Sequence, residues 1–294
     1  MVEEKKVFTK PDWESISREL DAGSAKKEIS AFWERKSNIW LSSLSSEMSG
    51  DISQFESDNF KILTCESERY ATLFTSFLER TLSRISKSLP GIARDEAHGK
   101  HIVLIFSDVG EYYDYLDQYF AEVDYAPNSG VYLNEGYGHF AFPTQDLNIA
   151  ETIAVHELTH ACLAHLDLPH WINEGLAVNM EVTLGVSGAN LINADFDKRH
   201  AKFWNSVSIN RFWSGSSFYE YGPGQELSYS LAFILISNLV HDYEVFKEFV
   251  LSSVSKDAGE AAFVKHYGTS LGVMVTEILG EGTWSPKETE DDYS

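Results

Sequence analysis

Ahead of residue 147 the chain alternates between short apolar runs and longer stretches where apolar residues return every three or four positions. Residues 60–64 (Phe-Lys-Ile-Leu-Thr) and the β-branched run 101–106 predict strands. Residues 66–89 have a helical period that stops at Pro90-Gly91, and a shorter helix is expected over 111–120. Segments 130–133 and 138–142 flank a glycine-containing turn and read as a hairpin. The next helix carries Asn148 at its start and Glu151 three residues on, the spacing of a capping box. Ile153, Leu158, Ala161, Cys162, Ala164 and Leu166 supply enough apolar surface to bury most of its circumference. Pro169 breaks it, and a second helix is expected over 171–182. Residues 182–221 have weak periodicity and many Gly, Ser, Asn and aromatic residues, which predicts loops or short helices. The apolar run 225–240 is short and interrupted by polar residues, so it reads as a core helix and not a membrane span. Residues 1–55, with Trp13, Trp33, Ile39, Trp40 and Leu44, read as amphipathic helices that pack on the sheet or form a dimer contact.

One of these helices names a chemistry. His156-Glu157-Leu158-Thr159-His160 places two imidazoles one turn apart and about 40° apart around the helix axis. Both can reach a single Zn²⁺, with the Glu157 carboxylate beside them to take a proton from water. The competing reading makes both histidines hydrogen-bonded core residues. A third ligand has to follow. The continuation with Gly and a third His fails, because Leu163 and Leu166 occupy those positions. Fourteen residues past His160 stands Glu174, within Trp171-Ile172-Asn173-Glu174-Gly175-Leu176-Ala177 and in the first turn of the second helix. It can swing back to complete a His₂Glu set with one open position. His170, in the preceding turn, is the competing ligand.

The two motifs together resemble those of the gluzincin clan of zinc peptidases, in particular its peptidase MA-like domains. The likeness extends over about residues 59–279, although only the two motifs are specific. The resemblance implies a zinc peptidase with His156, His160 and Glu174 as metal ligands and Glu157 as general base. It also implies that 138–142 is the sheet edge that binds substrate backbone, with His139, Phe140 and Ala141 as substrate-binding residues. An ordinary edge strand is the equally weighted alternative. By position Tyr229 resembles the tyrosine that related peptidases place opposite the metal, where a phenol can donate to an oxyanion. Tyr219 and Tyr221 are alternatives for that role, and half-buried packing is the bland reading of Tyr229. His200, His241 and His266 read as surface or helix-end residues. One position departs from the pattern. Where thermolysin-like enzymes carry an acidic residue one turn past the ligand glutamate, this chain has Val178. Asn173, Asn179, Glu181 or a backbone carbonyl would have to support the metal-bound histidines instead.

Composition narrows the remaining classes. The formal net charge is −22 over 294 residues, which argues against nucleic-acid binding and against an anionic membrane surface. No apolar leader follows Met1, and only Cys65 and Cys162 occur, so a cytoplasmic protein with separately buried, reduced thiols is expected. Cys162 lies two residues past His160 and points about 200° away from it, off the metal. The expected fold is α+β and zincin-like. A helical extension (1–55) precedes a mixed-sheet subdomain with the active-site helix (56–167), a mainly helical subdomain that supplies Glu174 (168–283) and a disordered acidic tail (284–294), with a cleft between the two subdomains. The expected partner is a peptide or protein substrate, the expected cofactor Zn²⁺, and the expected activity endopeptidase-like. The alternative is a zinc-stabilised binding or regulatory protein without turnover.

Overall fold

A computed structural model describes residues 5–20, 25–95, 97–120, 129–186 and 196–287. The chain divides into two compact units. The first comprises residues 1–88 and 95–162, and the second residues 89–94 and 163–294.

The first unit is built on a five-stranded mixed sheet of order β1-β2-β3-β5-β4. β1 is Ser53–Glu56, β2 Phe60–Thr64, β3 His101–Phe106, β4 Val131–Leu133 and β5 His139–Pro143. β2, β3 and β5 run parallel, and β1 and β4 close the two sides antiparallel. Parallel neighbours need crossovers, which here are helical: α3 (Glu68–Ser88) joins β2 to β3, and α4 (Val109–Phe120) leaves β3 towards the hairpin. Every residue of β2, β3 and β5 is buried, as expected for parallel strands covered on both faces. β1 (Ser-Gln-Phe-Glu) is largely exposed, and its polar composition hid it from a hydrophobic-pattern reading.

Alternation along the strands sorts the two faces. Leu63, Ile102, Leu104, Phe106 and Ala141 share a core with Phe8, Trp13, Trp33, Trp40, Leu41 and Leu44. The N-terminal segment therefore covers this face with α1 (Trp13–Arg18) and α2 (Lys26–Glu47). Of the two expectations for it, packing on the sheet is the one observed, although Ile39 is exposed. On the opposite face Phe74 of α3 meets Phe142 of β5 edge-on, with centroids 5.9 Å apart.

α5 (Leu147–Leu163) follows β5. It starts at Leu147, and the Asp146 carbonyl accepts the Ile149 and Ala150 N–H groups at 2.9 and 3.0 Å. Asn148 thus lies inside the first turn and does not cap it. The helix also ends six residues before Pro169, in a turn over 164–166.

The second unit is helical. α6 (His170–Leu184) and α9 (Pro223–Leu239) form its centre, with α7 (Phe196–Phe203), α8 (Ser208–Trp213), a 3-10 turn (Ser216–Tyr219), α10 (Tyr243–Ser252), a second 3-10 turn (Ser255–Asp257), α11 (Glu260–Tyr267) and α12 (Leu271–Leu279). Trp171 is fully buried; its indole N–H donates to the Ala258 carbonyl at 2.9 Å and its ring meets Phe212, Trp213 and Phe249. Gly175 is where α9 comes closest to α6. A Cβ there would stand 2.6 Å from Ile236 Cγ1 and 2.8 Å from the Ala232 carbonyl oxygen. Trp284 is buried and its carbonyl accepts the Trp213 indole N–H at 2.6 Å, so the chain stays packed at least that far. Residues 288–294 of the expected acidic tail lie outside the described residues. Among the described residues, no helix is long and apolar enough to cross a membrane.

Candidate metal centre

α5 presents His156 and His160 from successive turns, with ring centroids 4.7 Å apart and planes at 81°. Both are half-buried, whereas Val155, Leu158, Thr159 and Cys162 of the same helix are buried. The helix thus buries one face and leaves its two imidazoles and Glu157 on the other. Cys162 is 1% exposed, and burial pushes its thiol up to about 12, so it is a protonated core residue. Cys65 is half-buried, just past β2, and both cysteines are free.

Glu174 sits at the start of the second turn of α6, which begins at His170 one residue earlier than expected, and is buried. One ligand atom each from His156, His160 and Glu174 lies within 4.8 Å of the other two. Around a tetrahedral zinc with bonds of about 2.0–2.1 Å, donor atoms stand roughly 3.3 Å apart. Small side-chain rotations would close that difference. Two imidazoles and one carboxylate are also a donor set zinc accepts, with a fourth position open as in catalytic sites. The residues therefore fit the ion. His170, the competing ligand, is not in this cluster; its Nε2 stands 3.4 Å from Glu174 Oε1.

The Glu157 carboxylate has a partner that the sequence did not announce. Its Oε2 accepts the backbone N–H of Tyr132 in β4 at 2.7 Å. Tyr132 stands opposite Phe140 in the β4–β5 register, and because its N–H is given to a side chain of α5 it points outward from the hairpin.

The expected substrate strand needs correction. Residues 138–142 are not a sheet edge: β5 lies between β3 and β4, with its backbone paired on both sides. His139, Phe140 and Ala141 are buried at 0%, 2% and 0% exposure. The His139 ring is held at 2.9 Å from the Tyr137 carbonyl and 2.6 Å from the Tyr115 hydroxyl, and its surroundings are a packed core. The outer strand beside β5 is β4. The hairpin was legible, but which of its strands pairs with β3 is a long-range choice that local pattern does not carry.

Of the candidate tyrosines, Tyr229 is half-buried in the second turn of α9, its ring edge-on to Phe218 at 5.2 Å. Tyr219 and Tyr221 are exposed at 53% and 68%, and Tyr219 stacks on His170. Val178 is buried among apolar residues. Asn179 is committed elsewhere: its amide donates to the Gly175 and Phe233 carbonyls at 2.7 and 3.1 Å, and Ser237 donates to its Oδ1 at 2.8 Å. Asn173 has a buried Oδ1 without a hydrogen-bond partner, an acceptor still to be filled. His200 lies in the last turn of α7, a helix-end residue as expected, but it is buried and accepts the Trp204 indole N–H at 2.8 Å. His241 is exposed and His266 half-buried, as surface and helix-end residues would be.

Compared with known proteins, the chain matches no family model, and no curated protein matches it.

Proposed function

We propose that this chain is a zinc-dependent metallopeptidase of gluzincin type, hydrolysing peptide bonds with Glu157 as general base. The observation that supports this best is the approach of His156, His160 and Glu174 to within 4.8 Å, in a spacing that leaves a carboxylate between the two histidines. His156, His160 and Glu174 would hold the ion, which when bound polarises a carbonyl and lowers the pKa of water towards about 7. Glu157 takes the proton released as water attacks and passes it to the departing amine. The Tyr132 N–H, on one carboxylate oxygen at 2.7 Å, fixes the orientation of Glu157. Tyr229 is the candidate donor to the oxyanion, its ring held by Phe218. In this reading the protein acts on peptides in the cytoplasm.

Val178 favours a second reading, a zinc-stabilised binding protein without turnover, because a buried valine stands where an acidic support for the ligands is expected. One experiment separates the two. Wild type and Glu157→Gln are assayed on a peptide library, with zinc measured in both. The peptidase reading expects full zinc content and a loss of about 10²–10⁴-fold in hydrolysis for the variant. Zinc in both proteins with no cleavage by wild type supports the binding reading, and equal cleavage by the two removes Glu157 from the reaction.

A further inference from the structure

His170 has no role in the function proposed above, yet its ring is closely packed on several sides. It is the first residue of that helix, one turn ahead of Glu174. Tyr219 stacks on it at 5.1 Å and 26°, and Phe218 meets it edge-on at 4.9 Å and 88°. Gly215 closes the third side: its φ is +84°, and a Cβ there would fall 2.8 Å from His170 Cβ. The segment 215–219 therefore grips the imidazole on several sides, and only glycine permits the approach at 215. The gripped ring puts Nε2 3.4 Å from Glu174 Oε1, an ion-pair approach short of hydrogen-bond geometry.

Glu174 is 6% exposed, and a buried carboxylate is costly unless its oxygens are engaged. A metal takes one oxygen. When the other is held by a donor, the carboxylate keeps one orientation and does not rotate between monodentate and bidentate poses. We propose that His170 is a positioning residue for the metal: as Glu174 turns to give one oxygen to the ion, the imidazole N–H of His170 takes up the other, and Tyr219 and Phe218 fix the imidazole. Support for the ligand set thus comes from the residue before the Trp-Ile-Asn-Glu motif, on the carboxylate ligand and not on a histidine. The inference rests on the metal reading of His156, His160 and Glu174.

The test is zinc affinity by competition with a chromophoric chelator, on full-length wild type, Glu174→Ala, His170→Phe, His170→Gln, Tyr219→Phe and Tyr219→Ala. Glu174→Ala tests the metal reading by itself, and zinc affinity equal to wild type there would remove that reading. His170→Phe keeps an aromatic ring for Tyr219 to stack on but has no donor. We expect it to weaken zinc about 10–100-fold, the usual effect of losing a partner behind a metal ligand. His170→Gln restores an N–H at the same i,i+4 spacing, and we expect it to recover most of that loss. Tyr219→Phe should match wild type and Tyr219→Ala should fall between. Wild-type affinity in His170→Phe would overturn the proposal, because packing alone would then account for the residue. Cobalt-substituted His170→Gln should keep the wild-type absorption band shape; a changed shape would make His170 itself a ligand and would also overturn it.

Discussion

His139 shows how the same residue type serves two ends in one chain. His156 and His160 lie half-exposed on a helix, whereas His139 is sealed under Trp40, Tyr115 and Tyr119. Burial holds its imidazole at about 4, below the ordinary 6.5, against a smaller opposing contribution from the Tyr137 carbonyl. The ring is therefore neutral in the folded state, and the unfolded state binds the proton first as pH falls. A depressed folded value means that the stability is complete above about 6.5 and is lost progressively as pH drops towards 4. The size is of order 3 kcal/mol over that window. Chemical denaturation of wild type and His139→Gln between pH 7 and 4.5 checks it. Wild type should lose stability more steeply, and parallel pH curves would show that His139 contributes nothing to acid lability.

Among the elements, β4 carries more of the argument than its three residues suggest. Its Tyr132 N–H reaches Glu157, so one backbone group ties the sheet's outer strand to the proposed base. Proline at 132 deletes that N–H together with the ring that packs on Phe140 at 5.0 Å, so Tyr132→Ala, which loses only the ring, is its control; outer strands tolerate proline where the N–H faces away from the sheet. We expect Tyr132→Pro to keep its zinc and to lose about 10–100-fold in hydrolysis, the cost of one hydrogen bond to a charged group. Unchanged hydrolysis with an unchanged thermal midpoint would show that the contact has no part in orienting the base. The elements also show where the sequence was legible. β3 was read at its observed bounds because a strand buried on both faces leaves an apolar run, here residues 102–106; β2, with Lys61 and Thr64 among its apolar residues, was read at its observed bounds as well. α5 was read as a helix, and His156 and His160 stand on successive turns of it with rings 4.7 Å apart, as their i,i+4 spacing predicts. β1 was missed because an exposed outer strand need not be apolar, and the grip of 215–219 on His170 because it joins positions far apart in a stretch of weak periodicity.

At the scale of the whole molecule, the N-terminal segment is part of the first unit's core and not an appendage. Trp13, Trp33 and Trp40 form a contiguous aromatic group, with centroids 5.2 Å apart for Trp13–Trp40 and 6.1 Å for Trp13–Trp33. Polar ties secure the segment before them. The Lys6 N–H donates to Asp114 at 2.9 Å, and its ammonium reaches Glu111 at 2.6 Å. Burial alone would raise the Glu111 carboxyl, but donors from Lys6, Ser107 and Ser49 outweigh it and hold the group below its ordinary value. Each large apolar side chain of the segment contributes about 1.5–3 kcal/mol on burial, and Trp13, Trp33, Trp40, Leu41 and Leu44 are all buried. That sum is comparable to the roughly 5–15 kcal/mol by which a whole domain is stable. Removing residues 1–49 should therefore abolish the cooperative melting of the first unit, and zinc binding through His156 and His160 with it. Trp40→Ala, a milder cut into the same core, should cost about 3–5 kcal/mol and leave a folded protein with a lower midpoint. Thermal melts followed by near-ultraviolet circular dichroism, with zinc content measured in parallel, read both effects. A truncated chain that melts cooperatively and keeps its zinc would mean that the sheet is stable without its aromatic cover, and that the segment is an appendage after all.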